Sequence, residues 1–190
     1  MATGYVDPNG DGATLAWSAT GGGNHYTQVD EGTRQPTAPD TGDYVSATRT
    51  AAGTTTDELA FGTIAGVASV TSIKVWLYCA ITGSGGGQTT IKANIYVDGA
   101  WQTAATVLAG SGSSAWRSVE FTGTWDQADL DALQVRLESV KTTSPVSGTS
   151  TVYAAYGEIT YTETPATAPE IAVSGNGQNI PNGDATPSTG

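Results

Sequence analysis

Cysteine and histidine are almost absent from this sequence, which has one of each in 190 residues. The single cysteine, Cys79, excludes an intrachain disulfide and a zinc site of the usual multi-cysteine type. The single histidine, His25, would have to serve any Ser-His-Asp relay, and no Gly-x-Ser-x-Gly motif accompanies it. We therefore expect no enzymatic activity and no cofactor, with His25 a surface or interface residue on a strand near His25–Asp30.

Basic residues are also scarce. Seven Lys and Arg face 18 Asp and Glu, which gives a net charge of −11. Phosphate contacts need clustered Lys and Arg, so this balance argues against binding nucleic acid. It also disfavours docking on anionic membranes.

Long apolar runs are missing as well. No window approaches the length of a transmembrane helix. Met1–Tyr5 has neither a basic region nor an apolar run, so we expect no secretory signal in this form.

Strict alternation is the strongest positive feature. Apolar residues recur at every second position in two runs, Ile73–Ile81 and Ile91–Val97. Such alternation is typical of half-buried strands, and the Gly/Ser-rich loop at 83–87 between them predicts an antiparallel hairpin with a flexible, exposed turn. The odd positions form the core face. The opposite face then carries Trp76, Tyr78 and Tyr96.

Turn residues divide residues 14–162 into about ten short strands, as in a sandwich or barrel. A short helix is expected near Thr124–Leu133, with Asp126 as its capping residue. A change of parity in the last strand predicts a β-bulge near Gly157. The fold class is therefore all-β, an antiparallel jelly-roll-like β-sandwich over residues 1–163, followed by a Pro/Gly-rich extended arm over 164–190.

An incomplete calcium loop stands near the N-terminus. Asp7, Asn9 and Asp11 match the first oxygen ligands of such a loop, and Gly12 matches its turn glycine. The position that needs a bidentate Glu is Ser18, so these residues are weak calcium candidates. An Asp/Asn/Gly turn is the alternative, and we expect no metal.

The exposed aromatics admit three interpretations. The set consists of Trp76, Tyr78, Tyr96, Trp101 and Trp116. They could form a sugar-binding platform, or a subunit interface, since interfaces favour Trp and Tyr. Alternatively, the N-terminal segment or the loop at 32–42 folds over them within the same chain.

The order of several motifs resembles a known group of proteins. Trp17 is followed by the segment Asn24–Glu31, by Pro39–Val45, by Trp116, by Thr124-Trp125 and by a last strand ending Thr160-Tyr161. This order resembles jelly-roll-like β-sandwich proteins common in phage structural-gene clusters and in related bacterial surface proteins. The resemblance implies a non-enzymatic virion or surface module.

The tail carries a second resemblance. Pro169–Gly177 and Gly183–Ser188 look like the opening of an immunoglobulin-like module of bacterial surface and anchor proteins, with Ile171 and Val173 on its first strand. An unpaired apolar strand is suited to addition at a sheet edge. We expect the arm to dock on a neighbouring subunit.

These observations favour an assembly protein. It would be a phage virion component, either head decoration or tail-associated, with other virion or surface-lattice subunits as partners and a homo-oligomeric state. The alternative is an extracellular carbohydrate-binding or adhesive module with a glycan partner.

Overall fold

The computed structural model describes residues 1–143 and 145–165. The predicted arm at 164–190, with Ile171 and Val173, falls almost wholly outside the described residues. The strands are β1 (Ala2–Val6), β2 (Pro8–Leu15), β3 (Ser18–Ala19), β4 (Val45–Arg49), β5 (Gly53–Phe61), β6 (Val67–Thr82), β7 (Thr89–Val97), β8 (Ala100–Trp101), β9 (Ala105–Ala109), β10 (Gly112–Trp125), β11 (Gln134–Lys141) and β12 (Gly148–Glu163). One α-helix, α1 (Gln127–Asp131), and two 3-10 turns, Tyr26–Gln28 and Gly86–Gln88, complete the described elements. Within these ranges no helix is long and apolar enough to cross a membrane.

The strands form two antiparallel sheets that pack as a sandwich. Sheet A has the order β10-β6-β12-β4-β3, with β1 also paired to β12. Sheet B has the order β2-β5-β11-β7-β8, with β9 also paired to β7. Strands β4, β12, β6 and β10 lie side by side in sheet A, and strands β5, β11, β7 and β9 lie side by side in sheet B. The chain therefore passes from one sheet to the other between most consecutive strands. This double-sheet arrangement is a jelly roll, which confirms the predicted fold class.

The core lies between the two sheets and has the predicted register. Ile73, Val75 and Leu77 on β6 are fully buried, as are Ile91 and Ile95 on β7. Their even-numbered neighbours point to the outside of the sandwich, as alternation along a strand requires. Of the predicted core residues, Val119 is only half-buried and packs at the margin of the core.

The predicted hairpin between β6 and β7 is wrong. β6 pairs with β10 and β12 in sheet A, whereas β7 pairs with β11, β8 and β9 in sheet B. The glycine loop between them crosses from one sheet to the other; Gly83, Ser84 and Gly87 are exposed as predicted, but its middle is packed against the protein. Gly85 and Gly86 are buried, and a Cβ on Gly85 would lie 2.4 Å from the Val146 carbonyl oxygen. The glycines therefore serve close backbone packing.

The last strand, β12, contains a bulge at a different place from the one predicted. The register against β6 shifts between Val152 and Ala154, at Tyr153, and again at Tyr161. Gly157 pairs regularly with Val75. Because the bulge comes earlier, Tyr153 and Tyr156 both reach the outer face of sheet A, where they join other aromatic rings.

The short helix is confirmed. The Asp126 side chain accepts hydrogen bonds from the amides of Ala128 and Asp129 at 2.8 and 3.1 Å. The Asp129 carboxylate in turn accepts from the Asp126 amide, which completes a capping box. Leu130 and Leu133 are buried and attach the helix to the end of the sandwich.

Candidate interaction surfaces

The outer face of sheet A carries seven aromatic side chains, which we call the aromatic cluster. Strand register brings them together, because residues paired across antiparallel strands share a face. Trp76 lies opposite Tyr156 and Ser118, and Tyr78 lies opposite Trp116 and Ala154. The members of the cluster are Tyr5, Tyr44, Trp76, Tyr78, Trp116, Tyr153 and Tyr156.

The rings of the cluster pack mostly edge to face. Tyr78 and Trp116 meet at 5.4 Å and 65°, and Trp116 and Tyr156 meet at 5.3 Å and 68°. Trp76 is the exception, stacked on Tyr156 at 5.9 Å and 15°. A flat sugar platform needs coplanar exposed rings, and these rings are steeply inclined to one another or stacked together. The rings therefore do not present one flat platform on this face.

Part of the aromatic cluster is covered by the protein's own chain. We call residues 31–43 the strap. The indole Nε1 of Trp116 donates to the Thr37 carbonyl oxygen at 2.7 Å. Burial raises the pKa of the Tyr156 hydroxyl, whereas a backbone hydrogen bond with Gln35 acts in the opposite direction. The strap is thus the intramolecular cover that the sequence left open as one of three alternatives.

Arg34 is the main charged contact of the strap. Its Nη2 donates to both carboxylate oxygens of Asp7 at 2.9 and 2.8 Å. Its guanidinium carbon also lies 5.1 Å from the ring centre of Tyr5 and 5.5 Å from that of Tyr156. These distances are typical of cation–π contacts. Arg34 therefore links the strap to β1, to the β1–β2 junction and to β12.

Two of the three calcium candidates, Asp7 and Asp11, are engaged in other contacts. Asp7 binds Arg34, and an Asp11 carboxylate oxygen accepts from the Tyr26 amide at 2.9 Å. Among the described residues, no group of three or more His, Cys, Asp or Glu side chains could hold a metal ion. The Asp7–Asp11 segment spans the end of β1 and the start of β2, where its carboxylates anchor neighbouring loops.

Tyr96 and Trp101 lie on the outer face of sheet B, not beside Trp76. The expectation that Tyr96 shares a face with Trp76 and Tyr78 is wrong, because β6 and β7 belong to different sheets. Tyr96 pairs with Trp101 across β7 and β8, with the rings 5.4 Å apart at 66°. The five aromatics predicted as one set therefore divide into two groups on opposite sides of the sandwich.

Trp101 belongs to a polar site on sheet B. The guanidinium carbon of Arg136 lies 3.9 Å from the Trp101 ring centre, which places the two groups in close contact. Arg136 also donates from Nε and Nη2 to Glu58 Oε1 at 3.0 and 2.7 Å. The row across the sheet continues from Arg136 to Asn94, whose buried Oδ1 has no hydrogen-bond partner.

His25 is buried, contrary to the expected surface position on a strand. It precedes the 3-10 turn Tyr26–Gln28, and its Nδ1 lies 2.8 and 3.0 Å from the two carboxylate oxygens of Asp57. Asp57 is fully buried, and its burial raises the pKa of its carboxyl, against the opposing effect of His25. This pair joins the segment after β3 to β5.

Sequence reasoning missed Asp57, Arg34 and two of the three tyrosines of β12, Tyr153 and Tyr156. Asp57 occupies a core-facing position of an otherwise regular strand, so a buried polar partner could have been sought for it. Arg34 stands alone in a loop, and its partner Asp7 lies 27 residues away. The outward orientation of Tyr153 and Tyr156 was not predicted, because the bulge lies at Tyr153 and not near Gly157.

Comparison with known proteins yields likeness in structure alone. No family model matches the sequence, and no curated protein matches it. A family 35 carbohydrate-binding module from an environmental isolate is 15% identical with a TM-score of 0.34, and the match covers 89% of this chain and 100% of the module. A chitosan-binding module from a Paenibacillus sp. IK-5 chitosanase/glucanase is 15% identical with a TM-score of 0.33, covering 77% and 96%.

A third structure, from the Gx strain of infectious bursal disease virus, is 16% identical with a TM-score of 0.33. That match covers 63% of this chain, which spans only 30% of the viral chain. Identities and TM-scores of this size describe general architecture, and they carry no residue role or activity to this protein.

Proposed function

We propose that this protein is a non-enzymatic assembly subunit of a phage virion or related surface lattice, which contacts its neighbours through the aromatic cluster. The observation that carries the proposal is the presence of seven aromatic rings on an outer sheet face, where solvent alone would favour polar residues. Tyr5 remains 50% exposed there. Tyr and Trp are the residues most enriched in the energetically important parts of protein interfaces. The motif order that resembles phage structural proteins supports the virion assignment.

The charges beside the cluster also suit a contact between identical copies. Lys74 pairs in register with Glu120 on one side and with Glu158 on the other. A two-fold contact is self-complementary, so the same patch must match itself. A row of acid, base and acid meets this condition, because rotation can place each Lys74 against an acid of the other copy.

The proposal is tested by removing aromatic area from the cluster. We expect the protein to self-associate in sedimentation velocity, and the double variant Trp76→Ala/Tyr78→Ala to shift the population toward the monomer. Tyr96→Ala is the matched control, since it removes an aromatic ring from the outer face of the other sheet. A wild-type chain that stays monomeric at its highest soluble concentration, or a double variant that associates like wild type, would refute this interface.

The arm gives the assembly proposal a second test. Deleting residues 165–190 should leave the sandwich folded, because β12 ends at Glu163. The expected result is an unchanged circular dichroism spectrum together with weaker assembly. Normal assembly of the shortened chain would show that the arm does not link subunits.

A carbohydrate-binding module is the second candidate, and the site on sheet B favours it. A half-buried indole beside a part-exposed guanidinium can take the apolar face of a sugar ring, while Arg136, held in place by the buried Glu58, donates to its hydroxyls. Titration calorimetry with oligosaccharides of glucose, galactose and glucosamine would test this site. Binding lost in Trp101→Ala but kept in Trp76→Ala would support it, and an absence of heat with all three sugars would exclude it.

The proposal of a non-enzymatic role rests on how the potential catalytic groups are used. Among the described residues, His25 directs Nδ1 to Asp57, and its recorded hydrogen bonds go to that carboxylate. Cys79 lies in the core, where burial raises its pKa to about 12. A thiol with such a pKa is protonated at neutral pH and is a poor nucleophile. A hydrolase screen that detects turnover abolished by His25→Ala would overturn the proposal.

A further inference from the structure

We infer that the strap, residues 31–43, is a displaceable cover, and that a second copy of the chain takes its place on the aromatic cluster. This inference rests on the proposed assembly function and adds a regulatory step to it. The covered ends of Trp116 and Tyr156 would become part of the interface only after the strap moves away.

The strap is held by few contacts, and most of them are polar. Trp116 donates to the Thr37 carbonyl oxygen, and Arg34 binds Asp7. A backbone group of Gln35 hydrogen-bonds the Tyr156 hydroxyl. The hydrogen bond from the Asp40 amide to Glu31 Oε2, at 2.9 Å, lies within the strap itself. The Arg34 and Asp7 side chains are 32% and 34% exposed, so solvent weakens their attraction. Most residues from Gln35 to Asp43 are exposed, with Pro39 the buried exception. The strap therefore contributes little apolar burial of its own.

Closing the strap also leaves polar atoms without partners. Within the part of the chain that the structure describes, three buried side-chain atoms have no hydrogen bond: Glu31 Oε1 and Arg34 Nε in the strap, and Gln28 Oε1 just before it. A buried donor or acceptor that lacks a partner costs free energy, which opening to water would recover. In agreement, burial is the largest influence on Glu31 and raises the pKa of its carboxyl. The closed strap therefore covers the aromatic rings, but it also removes water from polar groups that it does not hydrogen-bond.

A second copy is a suitable replacement for the strap. Its own aromatic cluster supplies Trp and Tyr area, and its acid–base–acid row around Lys74 complements the same row here. The net charge of −11 repels two copies at long range, and salt screens that repulsion. Salt also weakens the part-exposed Arg34–Asp7 pair. Association should therefore strengthen as ionic strength rises, whereas an interface held mainly by ion pairs would weaken.

The experiment releases the strap by substitution at its charged contact. Arg34→Ala removes the ion pair with Asp7 and both contacts with tyrosine rings. Arg49→Ala is the matched control, because Arg49 hydrogen-bonds Thr55 and Ala52 at the β4–β5 turn, away from the strap. Asp7→Asn provides a second test of release that keeps side-chain size if Arg34→Ala fails to fold. Hydrogen exchange of amides 31–43 reports opening, and sedimentation velocity reports association.

We expect Arg34→Ala and Asp7→Asn to speed exchange in the strap, by about tenfold for Arg34→Ala, which loses the ion pair and the cation–π contacts together. Both should raise the dimer fraction at low salt, while Arg49→Ala changes neither. Faster exchange without association would support a displaceable cover but refute the second copy as its replacement, and with it the proposed assembly face. Unchanged exchange in both variants would overturn the inference, whatever the Trp76→Ala/Tyr78→Ala result shows about assembly.

Discussion

The buried pair of His25 and Asp57 allows a prediction that can be worked out from the structure. Among the described residues, His25 is the one side chain that hydrogen-bonds the fully buried Asp57 carboxylate, and replacing it with Ala removes that partner. The remaining donors are backbone amides, including that of Trp17 at 3.2 Å. A buried carboxylate that loses its side-chain hydrogen-bond partner is poorly compensated, so the folded state should lose stability.

The magnitude follows from the position of the pair. Breaking a buried ion pair by removing one partner typically costs about 3–5 kcal/mol. His25 is 8% exposed, so water can approach the vacated space and partly solvate Asp57. We therefore expect His25→Ala to lower the free energy of unfolding by about 3 kcal/mol, near the bottom of that range.

His25→Asn provides the matched comparison, because its amide nitrogen can take the place of Nδ1 and keep one hydrogen bond. That variant should recover about half of the loss. Urea unfolding followed by tryptophan fluorescence gives both values. If His25→Ala unfolds within about 0.5 kcal/mol of wild type, the size of an ordinary surface substitution, the reasoning about this pair is refuted.

The same pair predicts a dependence on pH. Burial raises the pKa of Asp57 above its usual 3.8, so the folded state binds this proton more readily than the unfolded chain does. The contribution of Asp57 to stability is therefore fully present below pH 3.8 and is lost as the pH rises through the raised value. Asp57→Asn should abolish this pH-dependent component of stability. Urea unfolding of both proteins across that pH range measures it. If the free energy of unfolding depends on pH equally in both, the assignment to Asp57 is wrong.

Three further predictions concern the core, the thiol and the helix. Leu77→Ala or Leu137→Ala, each at a fully buried position, should cost about 2–4 kcal/mol in urea unfolding through lost burial and a cavity, and a loss below about 1 kcal/mol would contradict the assigned core. Cys79, with its pKa raised to about 12, should resist a thiol reagent at pH 8 until the protein unfolds, whereas rapid labelling of the folded chain would place it outside the core. Asp126→Ala should cost about 1 kcal/mol by removing the cap of α1, measured by thermal unfolding, and no change would show that the capping box is unimportant.

The alternation of apolar residues correctly predicted which face of a strand lies in the core, but it did not predict which strands pair with one another. The core side of β6 followed from the sequence because a period of two places Ile73, Val75 and Leu77 together whatever strand lies alongside. The same pattern holds no information about pairing, so β6 and β7 looked like a hairpin although they belong to opposite sheets. The short helix was predictable because its cap, Asp126, is local. The strap contacts were not, since Arg34 and Asp7 meet only through the tertiary fold.

Buried polar residues set a second limit on prediction. His25 looked like a surface residue because its partner, Asp57, lies 32 residues away on β5. A single bulge at Tyr153, rather than near Gly157, decided which side Tyr156 faces. The position of the bulge therefore accounts for the missed Tyr156, whereas Tyr96 and Trp101 fall outside the cluster because their strands belong to the other sheet.

The central place of β12 in sheet A has a consequence for how the protein is made. β12 is the last strand in the described sequence, yet it pairs with β6 on one side and with β4 and β1 on the other. During synthesis, β1 and the edges of β4 and β6 that face β12 therefore have no partner in the sheet until β12 is made. Such non-local pairing folds slowly and leaves open strand edges that aggregate. We expect nascent chains that stop before residue 148 to depend on chaperones, and folding to become cooperative only once β12 has left the ribosome.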